Sequence, residues 1–358
     1  MSHYFTMAEV ASLENLALAA RAARRGKSRR PDVDEYHRRE ESHILTLREA
    51  LLNGSWRPGE YREFVVHEPK RRLIRAAPYA DRVAHHALCR MLEPLLARRF
   101  IASTFSCQKG KGTTAARECV RKLVNRHRYV LKCDIRKFFE SIDHEILLAR
   151  LERVVHCPDA RRMMRLIVES HATPDRERSC GLPLGNLTSQ LWANFFLDPL
   201  DHWITEAMGY GAYARYTDDF LIFGDNKAAL HELLDGIAMH LAESRLEFAA
   251  NKTRVMATRD GVPFCGFVFS PALRRRVIGV TKRRFEARRH RLRRTGADIV
   301  RLGVCVRSWY AFSREGNTTG LRRTWSRRRV RNGCLTRRSA IDFAPCTAIF
   351  SGLPGESG

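Results

Sequence analysis

The chain has 358 residues, with 64 Lys or Arg against 39 Asp or Glu, so its formal net charge is +25 at pH 7. That excess is larger than solubility requires and predicts a polyanionic partner, most simply nucleic acid. No run of 18 apolar residues and no N-terminal signal pattern occurs, so neither a membrane span nor a signal peptide is predicted. The ten cysteines form no Cys-x-x-Cys pair, which predicts reduced, mostly buried thiols in a cytoplasmic protein.

Apolar residues recur at helical spacing along most of the chain. In chain order this predicts helices over residues 7–25, 34–52, 81–99, 142–155, 161–168, 191–208 and 228–244. Strand-like runs are predicted over residues 129–134, 213–223 (a hairpin) and 246–256. A strongly basic helix or helix pair is predicted over 274–294. Together they predict an α/β (α+β) fold with helices packed behind a mainly antiparallel sheet.

Two adjacent carboxylates, Asp218 and Asp219, lie between two apolar runs, Tyr213–Tyr216 and Phe220–Phe223. The pattern predicts a hairpin with an acidic tip. Neighbouring like charges repel, so a cation is expected to neutralise them. Mg²⁺ takes oxygen ligands from carboxylates and phosphates and is the predicted ion.

A third acid, Asp134, ends the strand-like run 129–134 and leads into a short apolar turn. Three carboxylates from neighbouring strands could hold two divalent ions roughly 4 Å apart, the spacing that suits phosphoryl transfer. Asp134, Asp218 and Asp219 are therefore the predicted catalytic residues and metal ligands, with a backbone carbonyl from Ile135. Asp143, in Ser-Ile-Asp-His, is predicted to cap a helix instead.

Seven blocks in a fixed order over roughly residues 60–270 resemble a reverse transcriptase. They are 69–83, Phe105–Thr113, Asp134–Asp143, Gly181–Gln190, Tyr216–Asp219, Leu246–Thr253 and Phe264–Phe267. The resemblance implies a right-hand polymerase with fingers and palm and a helical basic thumb. The implied domains are an N-terminal helical extension (1–58), fingers (59–130), palm (131–270, with 145–190 partly fingers), thumb (271–338) and a flexible tail (339–358).

The resemblance also implies roles for single residues. Phe139 corresponds to an aromatic steric gate against ribonucleotides. Basic side chains that could contact the triphosphate are Arg72, Arg75, Lys109, Lys111 and Lys252. The turn before the predicted helix 191–208 adds Leu184, Gly185 and Gln190 to the nucleotide site. In the thumb, the residues predicted to grip nucleic acid are Arg283, Arg284, Arg288, Arg291, Trp309 and Tyr310.

Leu184 before Gly185, and Gln190 after Ser189, resemble the reverse transcriptases of diversity-generating retroelements. Such enzymes copy a template-repeat RNA with errors opposite adenine, in the process called mutagenic retrohoming. The implied cofactors are two Mg²⁺ ions, with Mn²⁺ as an alternative. The implied partners are template RNA, the RNA/cDNA duplex, deoxynucleoside triphosphates and an accessory variability determinant protein. The implied location is the cytoplasm, for a prokaryotic or phage-encoded protein. The open alternatives are a phage-defence or retron-type reverse transcriptase and a non-catalytic, maturase-like RNA-binding protein.

Overall fold

The computed structural model describes residues 5–66, 72–170, 178–271, 274–296 and 299–322. Within these ranges the helices are α1 (Met7–Val10), α2 (Leu13–Arg24), α3 (Pro31–Arg38), α4 (Glu40–Leu52), α5 (Tyr79–Ala97), α6 (Thr113–Val124), α7 (Phe138–Ser141), α8 (His144–Glu152), α9 (Pro158–Glu169), α10 (Leu187–Phe196), α11 (Asp198–His202), α12 (Lys227–Glu243), α13 (Gly279–Arg294) and α14 (Ile299–Arg314). A π-helical turn, Trp203–Ala207, continues α11.

Nine strands form three sheets in the described part of the chain. The strands are β1 (Arg62–Val66), β2 (Arg72–Ala76), β3 (Tyr129–Asp134), β4 (Tyr213–Tyr216), β5 (Asp219–Gly224), β6 (Arg254–Ala257), β7 (Val262–Phe264), β8 (Phe267–Ser270) and β9 (Arg274–Val277). β1 and β2 form a hairpin, β4-β5-β3-β6 is the order of the second sheet, and β7-β8-β9 is the order of the third. The predicted α/β class is confirmed, and the β3–β6 and β4–β5 pairs are antiparallel as expected.

The described residues fall into two compact units, each built from three chain segments. The first unit lies within Met1–Ala102, Asp134–Gly209 and Leu234–Lys252. In it, α5 packs on both α2 and α10. Its centre is apolar, because Leu16, Leu88 and Trp192 on these three helices are fully buried.

The second unit lies within Ser103–Cys133, Tyr210–Leu233 and Thr253–Gly358. Its core combines α6 with strands of both larger sheets, through buried Val120, Leu221 and Phe267 among others. A smaller cluster between α13 and α14 contains Phe285 and Trp309. No helix in the described ranges combines the length and apolar character that a bilayer crossing requires.

Local sequence signals fix several helix starts. The Ser12 hydroxyl accepts the backbone N–H of Asn15 at 3.2 Å, so α2 begins anew after α1. Pro31 is the first residue of α3, a position whose backbone N–H has no partner within the helix, so proline's lack of an N–H loses no hydrogen bond there. Asp143 caps α8 by accepting the Ile146 N–H at 3.2 Å, which confirms the capping role predicted for it.

Several predicted element boundaries were wrong. The helix predicted over 7–25 is two helices, because Ser12 caps a new one. The helix predicted over 34–52 is also two, α3 and α4, since Arg39 leaves helical geometry at φ −123°. In the helix predicted over 191–208, helical geometry begins earlier, at Leu187, and ends as a π-turn.

The helix predicted over the basic run 274–294 was wrong at its start. Residues 274–277 were predicted as helix but form β9, because the open edge of β8 offers backbone partners, with Phe267 opposite Val277. The strand predicted over 246–256 is reduced to β6 and one bridge, Ile135 with Phe248. The predicted tail, residues 339–358, lies outside the described residues, as does 323–338 of the predicted thumb.

The cysteines in the described ranges are all free thiols, as predicted. Cys133 is fully buried in β3, and burial raises its pKa well above the ordinary value. Burial also raises the pKa of Cys265 to about 12, with the nearby Asp219 charge acting in the same direction. Both thiols are therefore in the neutral, unreactive form near neutral pH.

Candidate active site

The acidic pair lies at a two-residue hairpin turn. Tyr216 is paired with Asp219 at the end of the β4–β5 ladder, which leaves Thr217 and Asp218 as the loop. Thr217 has φ 60°, a backbone region costly for a β-branched residue. The Ser106 hydroxyl accepts its N–H at 3.1 Å and so helps hold the turn. The predicted hairpin with an acidic tip is confirmed.

A buried arginine is hydrogen-bonded to this turn. Arg215 is fully buried, and its guanidinium donates to the Thr217 carbonyl at 3.1 Å. Its backbone is bound on both sides, donating to the Ser103 carbonyl and accepting from the Phe105 N–H, each at 3.0 Å. Arg215 is not among the residues predicted from the sequence. An arginine at an inward position of an apolar strand was the available signal.

The carboxylate of Asp219 is paired with a lysine on the neighbouring strand. Lys132 on β3 donates its ammonium to the Asp219 carboxylate, and the lysine side chain is only 11% exposed. A lysine is rarely this buried unless it is paired. Lys132 is not among the predicted residues either, although a lysine inside the apolar run Val130–Cys133 is unusual and was the available signal.

The carboxylate of Asp134 is paired with a second lysine, in the first unit. Lys252 donates its ammonium to Asp134 Oδ1 at 2.5 Å. Asp134 also accepts the Ala249 N–H through its backbone carbonyl at 2.8 Å, beside the Ile135–Phe248 bridge. Lys252 was predicted near the active-site acids. Its contact is with the Asp134 carboxylate itself.

The donor chemistry of these positions fits a hard divalent cation. Asp134, Asp218 and Asp219 offer only oxygen atoms, the ligands that Mg²⁺ prefers. Asp219 and Asp134 each have a lysine ammonium beside them, so positive charge lies next to two of the three carboxylates. The two backbone hydrogen bonds beside the Ile135–Phe248 bridge are made by Asp134 and Arg136, not by Ile135. The Ile135 carbonyl is therefore not used in that ladder. Among the described residues, no group of three or more acidic, His or Cys side chains is gathered as a metal cluster.

In the first unit, two of the predicted nucleotide-binding segments are in contact. Gly185 has φ +124°, and a Cβ there would lie 3.4 Å from Ile74 and 3.6 Å from the Arg75 carbonyl on β2. Only glycine combines that backbone angle with so close an approach. Beside it, Asn186 donates to the Tyr61 hydroxyl at 2.9 Å. The turn of Leu184 and Gly185 therefore lies against β2, which carries Arg72 and Arg75.

The predicted nucleotide-binding side chains on β2, the Gly185 turn and α10 differ in exposure and in their partners. Arg72 is exposed on β2, and Arg75 is paired with Glu63 at 2.5 Å. Leu184 is half-buried in its turn, and Gln190 is half-buried on α10.

The two adjacent phenylalanines differ in burial. Phe138 is 2% exposed and belongs to the core, whereas Phe139 is half-buried. Their rings meet edge to face at 5.7 Å, and the Phe139 carbonyl accepts the Leu182 N–H at 2.7 Å. This difference is what a steric-gate role for Phe139 requires, although the role itself stays a prediction.

In the second unit, the Lys109–Lys111 segment precedes α6. Lys109 is exposed, while Lys111 donates to the Thr104 carbonyl at 2.9 Å and lies 5.9 Å from the centre of the Phe105 ring. Gly112, with φ +109°, then leads into α6. Lys111 is thus tied to its own loop here, and Lys109 is the more accessible cation.

One predicted grip residue is in the wrong environment. Trp309 was predicted to face nucleic acid, but it is 8% exposed and stacks on Phe285 at 4.5 Å with nearly parallel rings. It packs α14 against α13 in a small apolar cluster that also contains Cys305. Tyr310 is 41% exposed. The four predicted arginines of α13 are exposed as well: Arg283, Arg284, Arg288 and Arg291.

Comparison with known proteins places the chain in a family. The family model for reverse transcriptase (RNA-dependent DNA polymerase) matches residues 67–269, more than half of the chain. The chain belongs to this family. Protein YkfC of Escherichia coli (strain K12) is 24% identical over 268 residues, which cover 62% of this chain and 70% of that protein.

Among solved structures, the chain is similar to telomerase from two yeasts. Telomerase from Candida albicans, in complex with a fragment of telomeric RNA, gives a TM-score of 0.47 at 13% identity, over 63% of this chain and 46% of that one. Apo telomerase from Candida tropicalis gives 0.48 at 10% identity, over 62% and 49%. The chain spans about half the length of these telomerase chains.

Proposed function

We propose that this chain is an RNA-directed DNA polymerase that copies a template-repeat RNA into error-prone, adenine-mutagenised cDNA for a diversity-generating retroelement. One observation carries the polymerase part. Asp134 is the last residue of β3, Asp219 is the first residue of β5, and these strands are neighbours in one sheet. Acids at the ends of adjacent strands are how a polymerase palm would present its carboxylates.

Asp134, Asp218 and Asp219, with the Ile135 carbonyl, would hold two Mg²⁺ ions, or Mn²⁺. Such a pair of ions activates the primer hydroxyl and stabilises the leaving pyrophosphate. The protein contributes the fixed positions of the carboxylates. Arg215 and Ser106 hold the turn that carries Asp218, and Lys132 orients Asp219.

The nucleotide side of the proposed site uses the contact between β2 and the Gly185 turn. Arg72 is exposed there and can offer a planar guanidinium to phosphate oxygens. Arg75 and Lys109 are proposed as further phosphate contacts. Phe139, the half-buried member of its pair, is proposed to exclude the ribose 2′-hydroxyl.

The proposed subtype rests on Leu184. This aliphatic residue directly precedes Gly185, whose backbone approaches β2. A polar side chain at this position could hydrogen-bond a nucleotide. A contact that is missing from a nucleotide site weakens geometric discrimination between bases. We therefore attribute adenine mutagenesis to the aliphatic residue at this position.

The proposed partners follow from charge and family. The exposed arginines of α13 would bind the phosphates of the RNA/cDNA duplex, a contact that is independent of sequence. The substrates would be template RNA and deoxynucleoside triphosphates. An accessory variability determinant protein in a prokaryotic or phage-infected cytoplasm completes the proposal. Fingers over 59–130, palm over 131–270 and thumb over 271–338 remain the proposed domains.

The test is primer extension on an adenine-containing RNA template with Mg²⁺ and all four deoxynucleotides, followed by sequencing of the products. We expect extension with errors concentrated opposite adenine. Asp218→Asn should reduce extension by at least a thousandfold, because a proposed metal ligand is lost. Asp235→Asn, at an exposed position of α12, is the matched control and should have no effect.

The outcomes separate the alternatives. Accurate extension would keep the polymerase and contradict the mutagenic subtype, in favour of a defence or retron role. No extension, even with co-purified RNA, would favour a non-catalytic RNA-binding protein. For the proposed cause of the errors, Leu184→Gln should lower misincorporation opposite adenine several-fold, and an unchanged error rate would refute it.

A further inference from the structure

A buried histidine in the first unit, His144, uses both of its ring nitrogens on one neighbouring segment. It is the first residue of α8 and is 3% exposed. Its Nδ1 lies 2.8 Å from the Ser179 hydroxyl oxygen, and its Nε2 lies 2.7 Å from the Gly181 carbonyl oxygen. A carbonyl only accepts, so Nε2 carries a proton and donates this hydrogen bond. The proposed metal and nucleotide sites do not include His144.

Backbone hydrogen bonds join the same two segments. The His144 N–H donates to the Ser179 carbonyl at 3.1 Å. The Gly181 N–H donates to the Ile142 carbonyl at 2.8 Å, and an antiparallel β-bridge lies between these two bonds. The segment 179–181 is therefore held at the start of α8 by the backbone as well as by the histidine ring.

One peptide group of this segment is held from both sides. The carbonyl of Gly181 and the N–H of Leu182 belong to the same planar peptide unit. His144 binds the carbonyl, and the N–H donates to the Phe139 carbonyl at 2.7 Å. Because the carbonyl and the N–H of a trans peptide point in opposite directions, these two bonds together fix its rotation. The histidine thus helps to orient the N–H that binds the Phe139 backbone.

The glycine makes this peptide dependent on the histidine. Gly181 has φ +100°, and a Cβ there would lie 3.4 Å from the Glu140 carbonyl oxygen on α7. Glycine adopts such an angle readily, and it has more conformational freedom than any other residue. A peptide next to glycine therefore rotates easily unless its polar groups are bound. Nε2 of His144 is the group that binds this carbonyl.

The held peptide lies between Phe139 and the Gly185 turn. On one side it is bound to the backbone of Phe139, which is half-buried on α7. On the other side two residues lead to Leu184, and one of them is Pro183, whose ring fixes φ at roughly −65°. Gly185 is then packed against β2. A rotation of the held peptide would therefore be passed in both directions with little flexibility between.

We propose that His144 is a positioning residue for sugar selection, which sets the place of Phe139 relative to the Gly185 turn through the 181–182 peptide. It acts through the backbone and not by contact with the nucleotide. A ring can exclude a 2′-hydroxyl only if ring and nucleotide are held in a fixed relation, and a misplacement of about 1 Å can cost on the order of a hundredfold in rate. The inference rests on the proposed polymerase function and on the proposed role of Phe139.

Two substitutions separate the two ring bonds of the histidine. The amide of Gln extends as far as Nε2 and can donate to the Gly181 carbonyl, whereas the shorter Asn places its amide near Nδ1 and Ser179. His144→Asn should lower the selectivity for deoxynucleotides over ribonucleotides by about tenfold or more, and His144→Gln should restore most of it. His144→Met fills the space without a donor. It should behave like His144→Asn and replaces that variant as the test if His144→Asn does not fold.

The measured quantity is the ratio of kcat/KM for a deoxynucleotide to kcat/KM for the matching ribonucleotide, in primer extension on an RNA template with Mg²⁺. A loss of folded enzyme lowers both values equally and leaves the ratio unchanged, so the ratio reports positioning and not stability. His231→Asn, the same substitution at an exposed position of α12, is the control and should match wild type. A wild-type ratio in His144→Asn or His144→Met would overturn the assignment.

Hydrogen exchange of the peptide that contains Leu182 gives a second measurement that needs no polymerase activity. The Leu182 N–H should exchange about tenfold faster in His144→Asn than in wild type or in His231→Asn, because its peptide is held on one side only. Unchanged exchange would refute the hold on the 181–182 peptide. Faster exchange with an unchanged ratio would overturn the role in sugar selection. A wild-type chain that extends no primer would refute the proposed function, and the exchange data alone would then decide whether His144 holds this peptide.

Discussion

Acid should destabilise this protein through a histidine that is buried without partners. His85 on α5 is 1% exposed, and neither of its ring nitrogens has a hydrogen-bond partner among the described residues. The ring of Trp56 lies edge to face with it at 6.4 Å between centroids. Burial lowers the His85 pKa to about 3, with the charges of His86 and Arg82 acting in the same direction.

The direction in which stability changes with pH follows from proton linkage. The folded-state pKa of about 3 lies below the ordinary value of 6.5, so the unfolded chain binds more protons between these two values. Stability is therefore full above about pH 6.5 and falls as the pH drops toward 3. Each pH unit in that window costs about 1.4 kcal/mol, so acidification from pH 7 to pH 5 removes about 2 kcal/mol. His86, whose pKa burial lowers to about 4, adds a loss of the same sign.

The assay compares wild type with His85→Leu by thermal unfolding between pH 5 and pH 8. Leucine fills a similar volume and removes both unpartnered nitrogens, so it should be neutral or stabilising at pH 7. At pH 5 the variant should gain about a further 3 °C over wild type, because about 2 kcal/mol is divided by an unfolding entropy of about 2.1 cal/mol/K for each of 358 residues. His231→Gln, at an exposed position, is the control. Equal acid losses in wild type and His85→Leu would refute the reasoning.

Two further predictions concern the Gly185 turn and the exposed arginines of α13. Gly185→Ala should cost about 1–3 kcal/mol in urea unfolding, because its φ of +124° strains any side chain and the Arg75 carbonyl lies close. Gly110→Ala, with φ +72° and open space, should cost less, and equal costs would show that the approach to β2 is irrelevant. Arg284→Gln with Arg288→Gln should lower the salt slope of RNA/DNA duplex binding by about 2 without altering sequence preference. An unchanged slope would exclude these arginines from the phosphate contacts.

Much of the fold could be predicted because its signals are local. Alternating apolar residues around Asp218 and Asp219 predicted the hairpin, and the residues 129–134 were predicted as a strand ending in an acid. Both agree with β3, β4 and β5. Helix ends were less accurate, because a single hydroxyl such as that of Ser12 divides a continuous apolar pattern. β9 was predicted as helix because an arginine-rich run has no periodic apolar residues that would distinguish a strand from a helix. Its strand structure depends on pairing with the edge of β8.

The sequence by itself determined the family, the three acidic positions and the turn that presents two of them, since each depends on residues close together along the chain. Only the tertiary structure decided which charges meet. Lys132 and Asp219 are 87 residues apart, and Lys252 and Asp134 are 118 apart. It also buried Trp309 between two helices and gathered Arg136, Arg178 and Arg245 from three segments around one cavity. Side-chain pairing at such separations is set by how strands and helices pack, and no local pattern encodes it.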